Sequence, residues 1–283
     1  MNIQWYPGHM TKARRAMQED IKLIDLIIEL VDARAPMASR NPDIDQLGQG
    51  KARLILLNKA DLAPESANEA WSRYFKGLGY QVLKIDARTK AGLKQIHPVI
   101  QEACREKIER DRRRGILNRP VRAMVAGIPN VGKSTFINSL AGKAAAKTGN
   151  RPGVTKGNQW IRLNKQVELL DTPGILWPKF DDPKVGLRLA FLGSVNDEIL
   201  NKEELAVELI RFLAEKWGGL LAERYGITEE GRGAEELLGE IAAARSCLQK
   251  GGEYDLGRAA GLLLDDFRSG RLGRVVLEMP EEE

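Results

Sequence analysis

The sequence predicts an α/β fold: a doubly wound, mainly parallel sheet followed by a small all-helical domain. Three observations carry this prediction. Apolar, strand-like runs alternate with helical stretches over roughly the first 200 residues, the pattern that crossover-connected parallel strands produce. A glycine-rich turn, GIPNVGKST, joins one of these strands directly to a helix. After about Asp197 the strand-like runs cease, and the apolar segments that remain have helical period.

The elements follow in order. Thr11 to Ile24 reads as a helix with a threonine N-cap. It is preceded by WYPGHM (Trp5 to Met10), an unusually apolar stretch for a chain terminus. Leu23 to Ala33 runs into a strand ending at Asp32, and RLILLN forms a second strand ending at Asn58. A helix is expected from about Pro64 to Leu78, a third strand over Gln81–Ala87, and one long charged helix from Gly92 to about Arg114. Gly115 to Pro120 reads as a linker. Val121 to Gly127 is a fourth strand opening into the glycine turn, and WIRL and VELLD pair as a hairpin around Asn164-Lys165. Residues 1–197 therefore form the expected sheet domain, in halves 1–114 and 121–197, and residues 198–283 the helical one.

Composition narrows the class. The chain has 283 residues, 43% hydrophobic and 29% charged, enough for two domains with a substantial core. No run approaches about 18 apolar residues, which argues against a membrane partner, and no secretory leader is visible. Cys104 and Cys247 lack metal-ligand spacing, which points to a reduced, cytoplasmic protein. The net charge of +5 is unevenly spread: residues 228–283 carry −6 and the residues before them +11. Arg105 to Arg122 holds 8 basic and 3 acidic residues. That run reads equally as a solvated helix face or as a polyanion contact, with RNA or a ribosome as the plausible polyanion.

The strongest motif is Gly127 to Thr135, which matches G-x-x-x-x-G-K-[ST] between an apolar strand and a helix. Backbone N–H groups of Asn130, Val131, Gly132, Lys133, Ser134 and Thr135 are placed to wrap phosphates, aided by the helix N-terminus. Lys133 is expected to reach the β- and γ-phosphates and Ser134 to ligate Mg²⁺. VELLDTPG ends a strand in Asp171, the position of a second Mg²⁺ ligand, and Gly174 can offer its N–H to the γ-phosphate. Asp32 also ends a strand, but the 38 residues from Lys133 to Asp171 suit the metal role better, leaving Asp32 to structure or switch contacts. Thr155, in GNRPGVTKG, is placed as the switch hydroxyl that completes the Mg²⁺ shell.

The base is read by LNKAD. Asp61 can accept two hydrogen bonds from guanine, whereas adenine would leave that carboxylate unpaired. Asn58, Lys59 and Ala60 share this loop, and Asp86 and Ala87 of IDART stand where a second base-contacting loop would be. Asp61 argues against an ATPase or kinase.

On these residues the chain resembles the translation-factor-related GTPases, with one difference in order. The NKAD loop precedes the phosphate loop, which makes this a circular permutation of the same sheet. Together with WYPGHM and DARAPMASRNP, the permuted order resembles the bacterial ribosome-biogenesis GTPases of the YlqF type over essentially the whole chain. The resemblance implies GTP hydrolysis, Mg²⁺ as cofactor, action late in assembly of the large (50S) ribosomal subunit as a monomer, and rRNA contact by the helical domain. Because that domain is acidic, such contact requires a local basic face drawn from Arg245, Lys250, Arg258, Arg268, Arg271 and Arg274. The competing reading is an RNA-binding protein that uses GTP as an occupancy switch with little hydrolysis.

Many GTPases place a glutamine after D-x-x-G to orient the attacking water. This chain has Ile175. Three groups could take over the orientation of that water: a K⁺ ion held through Asn130, a ribosomal group acting in trans, and His9. A histidine can orient water at neutral pH, and the resemblance favours that role. The residues alone also allow His9 to be a helix-approach residue, with Trp5 and Tyr6 as hydrophobic anchor. His97, before Pro98, reads as structural.

Overall fold

The computed structural model describes residues 3–142, 145–146 and 157–280. It has two compact units, one of residues 4–180 with 276–280, the other mainly of 181–275.

The first unit opens with α1 (Gly8–Asp20), which buries Met10, Ala13 and Met17. It begins three residues before the expected Thr11, because Pro7 stands at the N-cap in extended conformation and the Met10 N–H closes onto the Pro7 carbonyl. Next come β1 (Leu26–Asp32), α2 (Pro42–Leu47), β2 (Ala52–Asn58), α3 (Glu65–Gly77) and β3 (Gln81–Lys84). The long charged helix expected from Gly92 to Arg114 is instead a 3-10 turn followed by α4 (Ile96–Ala103) and α5 (Arg105–Arg113). The break is at Cys104, whose backbone (φ −105°, ψ 12°) leaves the helical region. β4 (Val121–Ala126), α6 (Lys133–Ala141), β5 (Gln159–Arg162) and β6 (Val167–Asp171) complete the unit.

The six strands lie in the order β3-β2-β1-β4-β6-β5, parallel except for the expected β5–β6 hairpin. Every residue of β1 is buried, as expected of a central strand covered on both faces. The β1–β2 register sets Asp32 opposite Asn58, and the β4–β6 register sets Val125 opposite Asp171. Loops leaving the C-terminal ends of β1, β2, β4 and β6 therefore gather at one end of the sheet, where ligands of open α/β sheets bind.

Residues 276–280 return to this unit. The Leu277 N–H donates to the Arg34 carbonyl (2.7 Å), the Ala38 N–H to Glu278 Oε1 (2.8 Å), and the Trp71 indole N–H to the Glu278 carbonyl (3.1 Å).

The helical unit contains α7 (Pro183–Phe191), α8 (Lys202–Lys216), α9 (Leu220–Tyr225), α10 (Ala234–Ala244) and α11 (Leu256–Arg268). α7 packs on α8 and α11, so the compact boundary falls at 180/181 rather than after 197. The unit's buried charge centre is Asp266, which accepts from Arg224 Nε (2.8 Å) and Tyr225 Oη (3.0 Å) and pairs with Arg271 (2.7 Å). Three of the six expected surface cations are thus committed internally. Arg271 binds Asp266, Arg268 binds Asp197 and the Phe191 carbonyl, and Arg245 donates to the Arg224 carbonyl. Lys250, Arg258 and Arg274 are exposed, as are Arg245 and Arg271 despite their partners.

Candidate functional site

Three loops converge at the C-terminal end of the sheet, and two consecutive residues after β2 hold them together. The chain leaves β2 through Lys59 in left-handed conformation (φ 58°), which turns the two side chains in different directions. Asn58 is buried. Its Oδ1 accepts the Ala87 N–H (3.1 Å) and its Nδ2 donates to the Val131 carbonyl (2.8 Å). One amide thus bridges the IDART turn and the phosphate loop. Lys59 Nζ donates to Asp32 Oδ2 (2.8 Å) and to the Asn130 carbonyl (3.0 Å), joining the loop after β1 to the same phosphate loop.

Asp32 carries more of this arrangement than its sequence context suggests. Its carboxylate also accepts Arg34 Nε and a second guanidinium nitrogen (2.9 Å each), and both residues are buried. Burial opposes the negative charge, but Arg34 and Lys59 outweigh it and hold the carboxyl well below the usual range. The structure therefore assigns Asp32 to the support of Lys59.

Asp61 lies at the rim, side chain about one third exposed, with the Arg88 guanidinium 3.3 Å from Oδ2. Asp86 and Ala87 are turned inward. The Asp86 carboxylate accepts from its own turn, the Arg88 N–H (2.9 Å) and the Thr89 hydroxyl (2.8 Å). The Ala87 carbonyl accepts from Ser139 Oγ on α6 (2.6 Å). The Ala60 N–H donates to the Ile85 carbonyl (3.1 Å). Asp61 alone among the expected base-loop residues is exposed.

The phosphate loop runs from β4 into α6 through two left-handed positions, Asn130 (φ 60°) and Gly132 (φ 102°). Gly132 is required twice over: by its φ, and because a Cβ there would collide with Asn58 Nδ2. Lys133 folds back across the loop and donates to the Gly127 and Ile128 carbonyls (2.9 Å each). Burial pushes its pKa down to about 8, with Asp171 opposing the shift. Burial pushes Asp171 up to about 6, with Lys133 and the Thr172 N–H pulling the other way. Among the described residues, Asp171 Oδ1 is a buried oxygen with no hydrogen-bond partner. A hard cation such as Mg²⁺ takes oxygen donors, so this orphaned oxygen and the Ser134 hydroxyl in the first turn of α6 fit that ion. Thr135 shares that turn; Thr155 lies outside the described residues.

The segment after β6 crosses the loop closely. Thr172 Oγ1 donates to the Val125 carbonyl (2.7 Å). A Cβ on Gly174 would stand 2.8 Å from Pro129 N and Cα and 3.0 Å from Lys133 Nζ. Ile175 is buried, and its carbonyl accepts from Asn41 Nδ2 (3.2 Å).

WYPGHM is tied to this same segment. The Leu176 N–H points at Met10 Sδ (3.4 Å), and the Gln4 amide exchanges hydrogen bonds with the Phe180 N–H and carbonyl (3.1 and 3.3 Å). The anchor differs from the expected one: Met10 is fully buried, whereas Trp5 and Tyr6 are half-buried. His9, next to Met10 on the first turn of α1, is exposed.

Sequence reasoning left Arg34, Asn41 and Ser139 unmarked and gave Asp32 no defined contact. Each works by reaching a loop distant in sequence, which no local pattern announces.

The fold and this site define a P-loop GTPase whose sheet is circularly permuted, with base-reading loops from the strands before the phosphate loop. The family described as 50S ribosome-binding GTPase matches residues 122–232. The chain is 49% identical over 282 residues to Ribosome biogenesis GTPase A of Bacillus cereus, covering all of this chain and 95% of that one. It is 33% identical to the Thermotoga maritima protein of the same name, covering 99% and 95%. The crystal structure of GNP-bound YlqF from T. maritima superposes with a TM-score of 0.65 at 29% identity, covering 96% of this chain and all of that one. The chain belongs to the ribosome biogenesis GTPase A family.

Proposed function

We propose that the chain binds GTP at the Asn58–Asp61 and Gly127–Thr135 loops and hydrolyses it while engaged with a precursor of the large ribosomal subunit. The observation that carries this reading is the double clamp of Asn58 and Lys59 on Val131 and Asn130. It makes the base-reading loop and the phosphate loop one rigid body, so guanine recognition at Asp61 sets the phosphates against Lys133.

In this reading Lys133 leaves the Gly127 and Ile128 carbonyls for the β- and γ-phosphates, which replace its two neutral acceptors with charge. Ser134 and Asp171, with Thr155 as a third ligand, would hold Mg²⁺, which would supply positive charge to neutralise the phosphates. Gly174 presents its N–H to the γ-phosphate. Val131, Gly132 and Thr135 supply loop and helix N–H groups, and the IDART turn (Asp86, Ala87) shapes the base pocket. Ile175 is buried and has no hydrogen-bonding side chain, so the attacking water is oriented by another group. His9 is that group: its neighbour Met10 is seated against the segment after β6, His9 itself is exposed, and turnover is low until a partner directs it inward. Asn130 would hold a K⁺ ion, which would supply further positive charge. The protein acts as a cytoplasmic monomer, and its helical unit touches rRNA through Lys250, Arg258 and Arg274.

GTP turnover measured with and without purified large subunits, in sodium and in potassium buffer, tests the reading. Stimulation by the particle is expected, and a further rise in potassium. Unchanged turnover with the particle overturns the coupling to assembly and leaves the occupancy-switch reading in its place.

A further inference from the structure

The sheet ends on β5, and this edge carries a second feature that nucleotide chemistry does not use. Trp160 on β5 is an exposed tryptophan, 41% accessible. The Arg122 guanidinium of β4 reaches across β6 to lie 5.3 Å from the centre of its ring. The strand registers explain this reach. Arg122, Glu168 and Arg162 stand abreast on β4, β6 and β5, and Trp160 is two residues from Arg162 on the same face. With the exposed Leu23 they line a cavity of about 340 Å³. Glu168 is its acidic member and pairs with Arg122 at 3.2 Å.

Arg122 is also the last residue of the most basic stretch of the chain, Arg105 to Arg122. Asp25 is the joint. Its carboxylate accepts the Arg122 N–H (3.0 Å) and pairs with Lys107 of α5 (3.3 Å) and Arg119 (3.6 Å). That carboxylate ties the first turn of α5 and the linker to the start of β4. Beyond Lys107 and Asp111, which pair with each other (3.1 Å), α5 and the residues after it leave Arg112, Arg113, Arg114 and Arg119 exposed. An accessible indole, linked through Arg122 and Asp25 to exposed guanidinium groups, has the chemistry of single-stranded nucleic acid binding. Bases stack on the aromatic, and the backbone follows the cations.

We infer that this face, from α5 to the β5 edge, binds an unpaired RNA segment, with a base stacked on Trp160 and phosphates on Arg119, Arg162 and the α5 arginines. The inference rests on the reading that the chain works on the ribosome, and it adds an RNA contact on the sheet unit to the one proposed for the helical unit. Charge favours the commitment: residues 228–283 are net acidic, while Arg105–Arg122 has 8 basic residues against 3 acidic.

The test is binding of a fluorescein-labelled 12-nucleotide unpaired RNA to the full chain with GDP present, against a duplex of equal length. Wild type is expected to prefer the single strand. Trp160→Ala should weaken it about tenfold and Trp160→Phe by less than about threefold, because a phenyl ring still stacks. Arg119→Glu and Arg162→Ala should each weaken it and flatten its salt dependence. GDP affinity should stay at the wild-type value in all four, which separates this face from the nucleotide site. Wild-type RNA affinity in Trp160→Ala and Arg119→Glu overturns the inference, as does failure of wild type to bind the single strand. If those variants bind RNA normally but no longer cosediment with large subunits, the face belongs to a protein partner and the RNA assignment is lost. Failure of wild type itself to cosediment would instead strike at the ribosomal reading on which this one stands.

Discussion

Lys59 Nζ stands 2.8 Å from Asp32 Oδ2, an ion pair between residues at the ends of adjacent parallel strands. The same ammonium reaches the Asn130 carbonyl, so the state of Asp32 is felt in the phosphate loop. Replacing Asp32 by Asn leaves the buried Arg34 without its anion, a class of change that costs about 3–5 kcal/mol. A large fall in melting temperature and weaker GDP binding are expected together. The pH dependence has a definite sign. The folded carboxyl titrates below its ordinary value of 3.8, so its stabilisation is present above about pH 4 and is lost as pH falls further. Melting curves from pH 3 to 7 should show an acid-side loss that Asp32→Asn lacks.

Asp61→Asn should lower GTP affinity by about a hundredfold or more and raise affinity for XTP, because the amide offers a donor where guanine also has donors. Competition binding with both nucleotides reads the switch. Unchanged GTP affinity would remove Asp61 from the base site.

Gly174→Ala places a methyl group 2.8 Å from the Pro129 backbone, which cannot retreat as a flexible side chain can. GTP hydrolysis should fall by at least about tenfold with GDP affinity within about twofold of wild type, since GDP has no γ-phosphate for this segment to meet. Equal loss for both nucleotides would mean that the substitution damages the phosphate loop itself.

His9 and Met10 are neighbours with separable roles. Met10→Ala empties a fully buried site and should cost about 2–5 kcal/mol. His9→Ala changes an exposed side chain, so melting temperature and GDP affinity should stay at wild-type values while particle-stimulated turnover falls about tenfold. Thermal unfolding and single-turnover hydrolysis on the same preparations distinguish them. A destabilised His9→Ala would return His9 to a structural role.

Much of this architecture is legible in the chain. The apolar runs ending in Asp32, Asn58 and Asp171 are strands, and the glycine turn lies between strand and helix, because short-range pattern and backbone chemistry determine those features. The misread elements depend on contacts from elsewhere. The charged stretch from Gly92 reads as one helix because nothing in its composition marks Cys104 as a break. α1 starts early because Pro7 supplies extended geometry that a threonine cap was expected to provide. In the site, the motif residues were readable, whereas their supports were not. The register that sets Asp32 opposite Asn58, the Ser139 bond to Ala87 and the Asn41 bond to Ile175 are long-range facts of packing. WYPGHM shows both sides: its apolar character announces an anchored terminus, but only the Leu176 contact identifies Met10 as the anchor.

The return of residues 276–280 has a consequence for synthesis. Arg34, Ala38 and Trp71 obtain partners from Leu277 and Glu278, more than 200 positions further along the chain. In connectivity the helical unit is an insertion within the sheet unit, and the loop after β1 and α3 cannot reach their final hydrogen-bond complement until Glu278 has left the translating ribosome. Arg34 and Ala38, in the loop after Asp32, are among the first parts made, yet they gain these partners only after the helical segment has been produced.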